Sequence, residues 1–77
     1  MPKIFEADGF RFFFYSNDHL PLHVHARHGD GEAVFLIEPE VKLRDSSTLN
    51  VRQLSRAEEL INEHIELIRQ AWDEHFG

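Results

Sequence analysis

The sequence contains no cysteine. This absence excludes a disulfide framework, a thiol nucleophile and every zinc site that is built on cysteine ligands. A domain of 77 residues buries only about 60% of the surface of its unfolded chain, so we expect its stability to be modest. Because no disulfide supplements that small core, association with a partner or with a second copy is a reasonable further source of stability.

Long apolar segments are also missing. No run approaches the roughly 20 residues that a membrane-spanning helix needs. The first six residues, MPKIFE, lack the apolar core of a secretory signal peptide. We therefore expect a cytoplasmic protein that does not associate with a membrane.

Positive charge is scarce, since 8 lysines and arginines face 14 aspartates and glutamates, for a formal net charge of −6. Residues 1–31 carry a net charge of −1 and residues 32–77 carry −5. An acidic chain is a poor non-specific binder of nucleic acid, because neutralisation of phosphates supplies most of that affinity. The nearly neutral N-terminal part, which holds four of the six histidines, is not excluded from such binding.

The N-terminal part predicts a first β-hairpin. Lys3–Ala7 and Phe10–Ser16 flank Asp8-Gly9, which is a strong signal for a two-residue turn. Pairing across this turn places Phe5 opposite Phe12, Ile4 opposite Phe13 and Glu6 opposite Arg11. Because side chains alternate along a strand, one face carries Phe5, Phe10, Phe12 and Phe14, and the other carries Ile4, Glu6, Arg11, Phe13 and Tyr15. The first face is the better candidate for the core.

A second hairpin is predicted for His23–His28 and Glu32–Glu38, around Gly29-Asp30-Gly31. The length of its turn is open by one residue. Strand alternation places His23, His25 and Arg27 on one face and His28 on the other. This assignment depends on the register, because a slip of one residue would reverse every face.

The C-terminal part predicts a long amphipathic helix. It follows a connector over residues 39–49, in which a short edge strand is possible at Val41–Arg44. Apolar residues recur every three to four positions from Val51 to Phe76. Asn50 with Gln53 has the spacing of a capping box, and Ser55 with Glu58 offers a second possible start. Such a helix would be roughly 39 Å long at 1.5 Å per residue. Since this exceeds the width of a small sheet, we expect its far end, with Trp72 and Phe76, to contact a partner or to form a homodimer.

These elements predict the fold class α+β. We expect a small antiparallel sheet of three to four strands, formed by two hairpins, packed against one long C-terminal helix. Residues 1–77 form a single domain, in which 1–44 is the sheet part and 50–76 is the helix.

The polar residues between the hairpins resemble a known family. The matching residues are Met1-Pro2-x-Ile4, Gly9-x-Arg11-Phe12-x-Phe14-Tyr15-Ser16-Asn17-Asp18-His19, Pro21-x-His23-Val24-His25 and Trp72-x-x-x-Phe76. The chain resembles a bacterial domain-of-unknown-function family of short proteins with the signature MP-x-I, FFFYSN-[DE]-H and HVH. The likeness covers essentially the whole chain. Members often carry a second proline where this chain has Leu22, so the loop here is less constrained.

The resemblance implies a role but not a reaction. Members of this family are commonly encoded beside another small domain of unknown function, in pairs that look like toxin–antitoxin modules. By that likeness the chain is a toxin-like component, and its partner is a small antitoxin-like protein from a neighbouring gene. The family's polar signature falls on Tyr15, Ser16, Asn17, Asp18, His19, His23 and His25.

Ribonuclease-type chemistry without a metal is the first hypothesis for these residues. Cleavage of RNA needs a base for the 2′-hydroxyl, an acid for the leaving oxygen and a cation for the phosphate, and histidine serves both proton roles near neutral pH. The candidate catalytic residues are His19, His23, His25 and Tyr15, and the candidate substrate-binding residues are Arg27, Arg11, Asn17 and Asp18. The alternative is that these histidines only make turn and cross-strand hydrogen bonds.

Two further hypotheses stay open. His19, His23 and His25 offer three imidazoles for zinc or another divalent metal, since three protein ligands with an open position form the catalytic zinc arrangement. The His-x-His spacing is weak evidence, because it recurs often by chance.

Alternatively, the chain is a non-catalytic interaction module that binds its partner through a sheet edge or through Trp72 and Phe76, since aromatic anchors are enriched at interfaces.

Overall fold

The computed structural model describes residues 3–15 and 20–76. These residues form an antiparallel sheet of five strands and two C-terminal helices, which confirms the α+β class. The strands are β1 (Lys3–Ala7), β2 (Phe10–Phe13), β3 (His23–His28), β4 (Gly31–Leu36) and β5 (Lys42–Ser47), and the helices are α1 (Val51–Glu63) and α2 (Ile65–Phe76). The strands lie in the sheet in sequence order, so each one pairs with the next along the chain.

The first hairpin folds around a turn with two left-handed residues. Asp8 has φ 52° and Gly9 has φ 81°, the conformation of the tight turns that match the twist of a hairpin. The predicted pairs of Phe5 with Phe12 and of Glu6 with Arg11 are confirmed. The prediction for Ile4 is wrong: Lys3 lies opposite Phe13, because the register shifts between Lys3 and Phe5.

The second hairpin resolves the turn length that the sequence leaves open. His28 pairs with Gly31, so the turn consists of Gly29 and Asp30 alone. Arg27 consequently lies opposite Glu32. Gly29 has φ 58°, a conformation that glycine adopts without the steric cost that a Cβ atom would impose.

The fifth strand corrects the expected count of three to four strands. Strand β5 pairs with β4 over Lys42–Ser47 and reaches three residues beyond the predicted end of the sheet part at Arg44. All six of its residues are exposed. The short edge strand that the sequence allowed at Val41–Arg44 overlaps β5, but the strand continues through residues 45–47, where the polar sequence resembles a loop. Its pairing rests on backbone hydrogen bonds with β4.

The single long helix is also corrected, because the helical segment divides at His64. The backbone of His64 departs from helical angles, with φ −115° and ψ 24°, and its N–H bonds the carbonyls of Leu60 and Ile61. Its ring stacks on Phe5, with centroids 4.2 Å apart. The described residues span at most 33 Å, less than the length of the helix predicted from the sequence. Neither of the two described helices combines the length and the apolar character that a bilayer span requires.

The hydrophobic core lies between the helices and one face of the sheet. The sheet, with the residues that directly follow β2 and β4, contributes the aromatic residues expected on the first face, Phe10, Phe12 and Phe14, together with Val24, Ala26, Ala33, Phe35 and Ile37. The helices contribute Ala57, Leu60, Ile61, Ile68 and Trp72. This arrangement positions the remaining sheet face, which carries most of the described candidate site residues, away from the core.

Candidate functional site

We call the sheet face that is turned away from the hydrophobic core the polar face. Its residues follow from the register, because side chains paired across neighbouring strands share a face. The row nearest the two hairpin turns consists of Glu6, Arg11, Arg27, Glu32 and Ser47, and the next row consists of Lys3, Phe13, His25, Val34 and Asp45. Four strands thus align a row of charged residues, which Ser47 extends on the fifth strand, beside a row that contains His25.

In the charged row, two neighbouring arginines, Arg11 and Arg27, are flanked by one glutamate on each side, Glu6 and Glu32. The Nε atom of Arg11 lies 3.6 Å from the Oε2 atom of Glu6, and the Nη1 atom of Arg27 lies 3.6 Å from the Oε1 atom of Glu32. The two arginines in the middle are cross-strand neighbours. Two like charges directly opposite each other destabilise a sheet unless a counter-charge compensates them. The two glutamates supply that compensation.

Glu32 also joins the charged row to the histidine row. The hydroxyl of Tyr15 lies 3.4 Å from its Oε2 atom, and the Nδ1 atom of His25 lies 3.5 Å from the same oxygen. The rings of Tyr15 and His25 meet edge to face at 4.4 Å, while Phe13 stacks on His25 at 5.4 Å. His25 therefore lies between two aromatic rings, with its Nδ1 atom near a carboxylate oxygen.

His23 lies one position further along the same face. Its Nδ1 atom is 2.7 Å from the carbonyl oxygen of Pro21, so this nitrogen carries the proton and donates it. The ring lies 5.4 Å from that of His25 and 5.7 Å from that of Trp72. Both histidines are buried, each with 7% of its surface exposed. Only a small part of either side chain is therefore exposed, and both ring nitrogens of His25 lie in the buried part.

The predicted division of the histidines between the two faces is confirmed. Three predicted site residues, His23, His25 and Arg27, share the polar face, and Arg11 joins them there. His28 points to the opposite side, where its ring packs on Phe10 with centroids 4.8 Å apart. Tyr15 approaches the group through its contacts with His25 and Glu32.

Three other predicted site residues, Asn17, Asp18 and His19, lie outside the described residues. Within 3–15 and 20–76, no group of three or more potential metal ligands comes together. The metal hypothesis needs His19 beside His23 and His25, so it stays a prediction.

Sequence reasoning missed Glu32, although this residue contacts Tyr15, His25 and Arg27. A signal for it was present in the second hairpin. If Gly29 and Asp30 alone form the turn, Glu32 must lie opposite Arg27, and the two form a complementary cross-strand pair. The alternative three-residue turn, Gly29-Asp30-Gly31, would not have placed Glu32 opposite Arg27.

The pKa of Glu6 is lowered, first by the hydrogen bond that Lys3 donates to it and then by the charges of Lys3 and Arg11. The Nζ atom of Lys3 lies 2.8 Å from the Oε2 atom of Glu6. Glu6 therefore stays ionised at neutral pH and remains a negative charge beside Arg11.

The family model of the domain of unknown function DUF4160 matches residues 9–73. The chain belongs to this family. The DUF4160 match covers β2 to β5, α1 and most of α2, and so includes every described candidate residue of the polar face. This match agrees with the resemblance drawn from the sequence in one respect: both assign the chain to a family of unknown function. Neither the curated proteins nor the solved structures contained a match to the chain.

Proposed function

We propose that this DUF4160 protein is the toxin-like component of a bacterial two-gene module and that it acts on RNA through the polar face. One observation carries the proposal. A carboxylate, Glu32, is shared by Tyr15, His25 and Arg27 on the sheet face that does not form the core. Proton-transfer groups, a cation and an aromatic ring thereby occupy one place.

The proposed reaction is cleavage of the RNA chain by its own 2′-hydroxyl. His23 accepts the proton of this hydroxyl, the oxygen attacks the phosphorus, and the bond to the 5′-oxygen breaks as protonated His25 donates a proton to it. The products are a 2′,3′-cyclic phosphate and a 5′-hydroxyl. Histidine suits both steps because it exchanges protons near neutral pH.

The contacts of the two histidines favour this division of roles, and binding of RNA must first expose the buried ring nitrogens of His25 before that histidine can donate its proton. The Nδ1–H group of His23 is engaged by the carbonyl of Pro21, so in the neutral ring the Nε2 atom is the proton acceptor. Glu32 lies where it balances the positive charge of protonated His25. Arg27, whose side chain is 55% exposed, supplies a cation that attracts the phosphates of the RNA to the site, and Tyr15 supplies a ring for stacking on a base.

The proposal is tested by expressing the protein and its variants in a bacterial host and by incubating the purified proteins with single-stranded RNA in the presence of a chelator. The wild type is expected to slow growth and to cleave RNA. His25→Gln and His23→Gln are expected to reduce both effects by about a hundredfold, the typical contribution of a positioned acid or base. Co-expression of the neighbouring gene's product is expected to restore growth.

His75→Gln is the matched control, because His75 is exposed on α2 and has no place in the proposed site. It is expected to behave as the wild type does. Thermal unfolding of each variant separates loss of activity from loss of structure. A wild type that neither slows growth nor cleaves RNA, or a His75→Gln protein as inactive as His25→Gln, would rule out the proposal.

A further inference from the structure

The two hairpin turns border an open pocket near the cluster of His25 and Glu32. Its volume is about 310 Å³, and Arg11, Arg27, Gly9, Gly29 and Glu6 contribute to its lining. This volume lies at the lower end of the range of small-ligand sites, which begins near 300 Å³. Arg27 belongs both to this pocket and to the contacts of Glu32. The pocket is therefore adjacent to the proposed reaction site.

The two arginines of the pocket have donors to offer to an anion. Each side chain is a little more than half exposed, at 56% for Arg11 and 55% for Arg27. Their nearest carboxylates lie at 3.6 Å, which is longer than the 2.7–3.2 Å of a hydrogen bond. Guanidinium groups bind phosphate with two parallel N–H bonds when the geometry permits. Both groups thus combine access with unused hydrogen-bonding capacity.

The flanking carboxylates select the charge of the ligand. Glu6 lies beside Arg11 and Glu32 beside Arg27, so the row from Glu6 to Glu32 has no net charge, and Lys3, which bonds Glu6, adds one positive charge next to it. A phosphodiester carries a single charge and therefore competes with these carboxylates less strongly than a group with two charges. A phosphate monoester carries about −1.5 to −2 charges at neutral pH and has three acceptor oxygens, so it competes more strongly.

We propose that the pocket between Arg11 and Arg27 binds a phosphate monoester, namely the 5′-terminal phosphate of an RNA strand. This inference rests on the proposed function, because it specifies which RNA the neighbouring site receives. The terminal phosphate lies across the two guanidinium groups, and the following nucleotides extend along the polar face toward His25. The preferred substrate class is then single-stranded RNA with a phosphorylated 5′ end.

Binding is measured with the His25→Gln protein, so that cleavage does not consume the ligand. A short RNA labelled at its 3′ end is prepared with either a 5′-phosphate or a 5′-hydroxyl, and fluorescence anisotropy reports both affinities. The phosphorylated strand is expected to bind at least tenfold more tightly, as charge-assisted hydrogen bonds contribute. Equal affinity for the two strands would overturn the inference.

Three substitutions in the same background identify the pocket. Arg11→Gln and Arg27→Gln are each expected to remove most of the preference for the phosphorylated strand. Glu6→Gln is expected to raise the affinity about two- to fivefold, because it removes a competing surface charge. Arg52→Gln, on the exposed start of α1, is the control and is expected to change nothing. A loss of affinity in Glu6→Gln, or an equal loss in Arg52→Gln, would contradict the assignment.

Competition with 5′-AMP and with adenosine distinguishes an RNA end from a free nucleotide. If the pocket serves the end of a strand, 5′-AMP competes weakly and adenosine does not compete. Competition by 5′-AMP as strong as that of the RNA would assign the pocket to mononucleotides and overturn the RNA-end proposal. These affinities do not depend on catalysis. A wild type that binds the phosphorylated strand without cleaving it would refute the proposed reaction and leave the phosphate site in place.

Discussion

At the residue scale, Gly9 connects the turn of the first hairpin to the end of strand β3. Its φ of 81° lies in the left-handed region, which side chains other than glycine adopt at a cost. A Cβ atom at this position would lie 3.0 Å from the Nε2 atom of His28. The ring of His28 cannot move away without consequence, because it packs on Phe10. Two separate physical reasons therefore favour glycine here.

Gly9→Ala is expected to lower the free energy of unfolding by about 1–3 kcal/mol, the cost of a non-glycine residue in a left-handed conformation plus the contact with His28. Introducing His28→Ala into that variant is expected to recover about 0.5 kcal/mol or more, the size of a coupling between residues in contact. Urea denaturation of the single and double variants measures this coupling.

Gly29→Ala is the matched control, since Gly29 has φ 58° but a Cβ atom there would meet nothing within 4 Å. Its cost should be that of the backbone alone, and His28→Ala should not reduce it. Identical costs and identical coupling at both glycines would refute the role assigned to His28.

At the scale of elements, helix α1 begins with a capping box that the sequence indicated. The Oδ1 atom of Asn50 accepts a bond from the backbone N–H of Gln53 at 2.8 Å, and the Oε1 atom of Gln53 accepts one from the N–H of Asn50 at 3.0 Å. These reciprocal bonds satisfy two backbone donors that the start of a helix leaves without partners. They also fix the position at which the chain leaves strand β5.

Asn50→Ala is expected to lower the free energy of unfolding by about 1 kcal/mol, the usual cost of removing an N-cap side chain. Asn62→Ala is the control, because its side chain bonds only the carbonyl of Glu58 within the same helix. That exposed substitution is expected to change stability by less than about 0.5 kcal/mol. Thermal unfolding followed by circular dichroism compares the two variants. An equal loss of stability in both would show that the side chain of Asn50 stabilises the helix no more than that of Asn62 does.

The division between α1 and α2 is an element boundary that periodicity did not reveal. Apolar residues continue at helical spacing through the break, from Ile61 to Ile68. Neither proline nor glycine marks the position. The ring of His64 lies 2.8 Å from the carbonyl oxygen of Leu60 and stacks on Phe5, far away in the sequence. A helix boundary set by a contact with another element is not visible in local sequence.

At the scale of the whole molecule, Trp72 links the core to the polar face. It is 6% exposed and contacts Phe14 on the core side, with centroids 5.1 Å apart, and His23 on the other side at 5.7 Å. Phe76 packs beside it at 4.2 Å. The homodimer expected from this end of the helix stays a prediction, but Trp72 already has intramolecular contacts.

Trp72→Ala is expected to lower the free energy of unfolding by about 3–5 kcal/mol, the cost of truncating a buried aromatic residue. A domain of this size has roughly 4–12 kcal/mol in total, so much of the variant would be unfolded at physiological temperature. Trp72→Phe is expected to retain more of the stability. Leu67→Ala, on the same helix but 42% exposed, should cost far less. Chemical denaturation combined with sedimentation measures stability and association together.

A different outcome would support the interface hypothesis. If Trp72→Ala leaves the monomer as stable as Leu67→Ala does but abolishes association, then Trp72 serves mainly a partner. In that case the packing of α2 on Phe14 contributes less than its burial indicates.

The sequence by itself determined the features that depend on neighbours along the chain. The turn at Asp8-Gly9, the pairing of Phe5 with Phe12, the capping box at Asn50 and the separation of His25 from His28 all follow from local backbone preferences and from side-chain alternation. Each is decided within a few residues, so the chemical information is present in a short segment.

Only the tertiary structure decided the features that depend on distant segments. Strand β5 exists because β4 offers it an edge, the helix divides where His64 meets Phe5, and Trp72 is buried because it reaches Phe14. The contact of Glu32 with Tyr15 also joins distant residues, 17 positions apart, whereas its place opposite Arg27 follows from the local turn at Gly29 and Asp30. The free energy of such contacts belongs to pairs of residues far apart in sequence, so no local pattern encodes them.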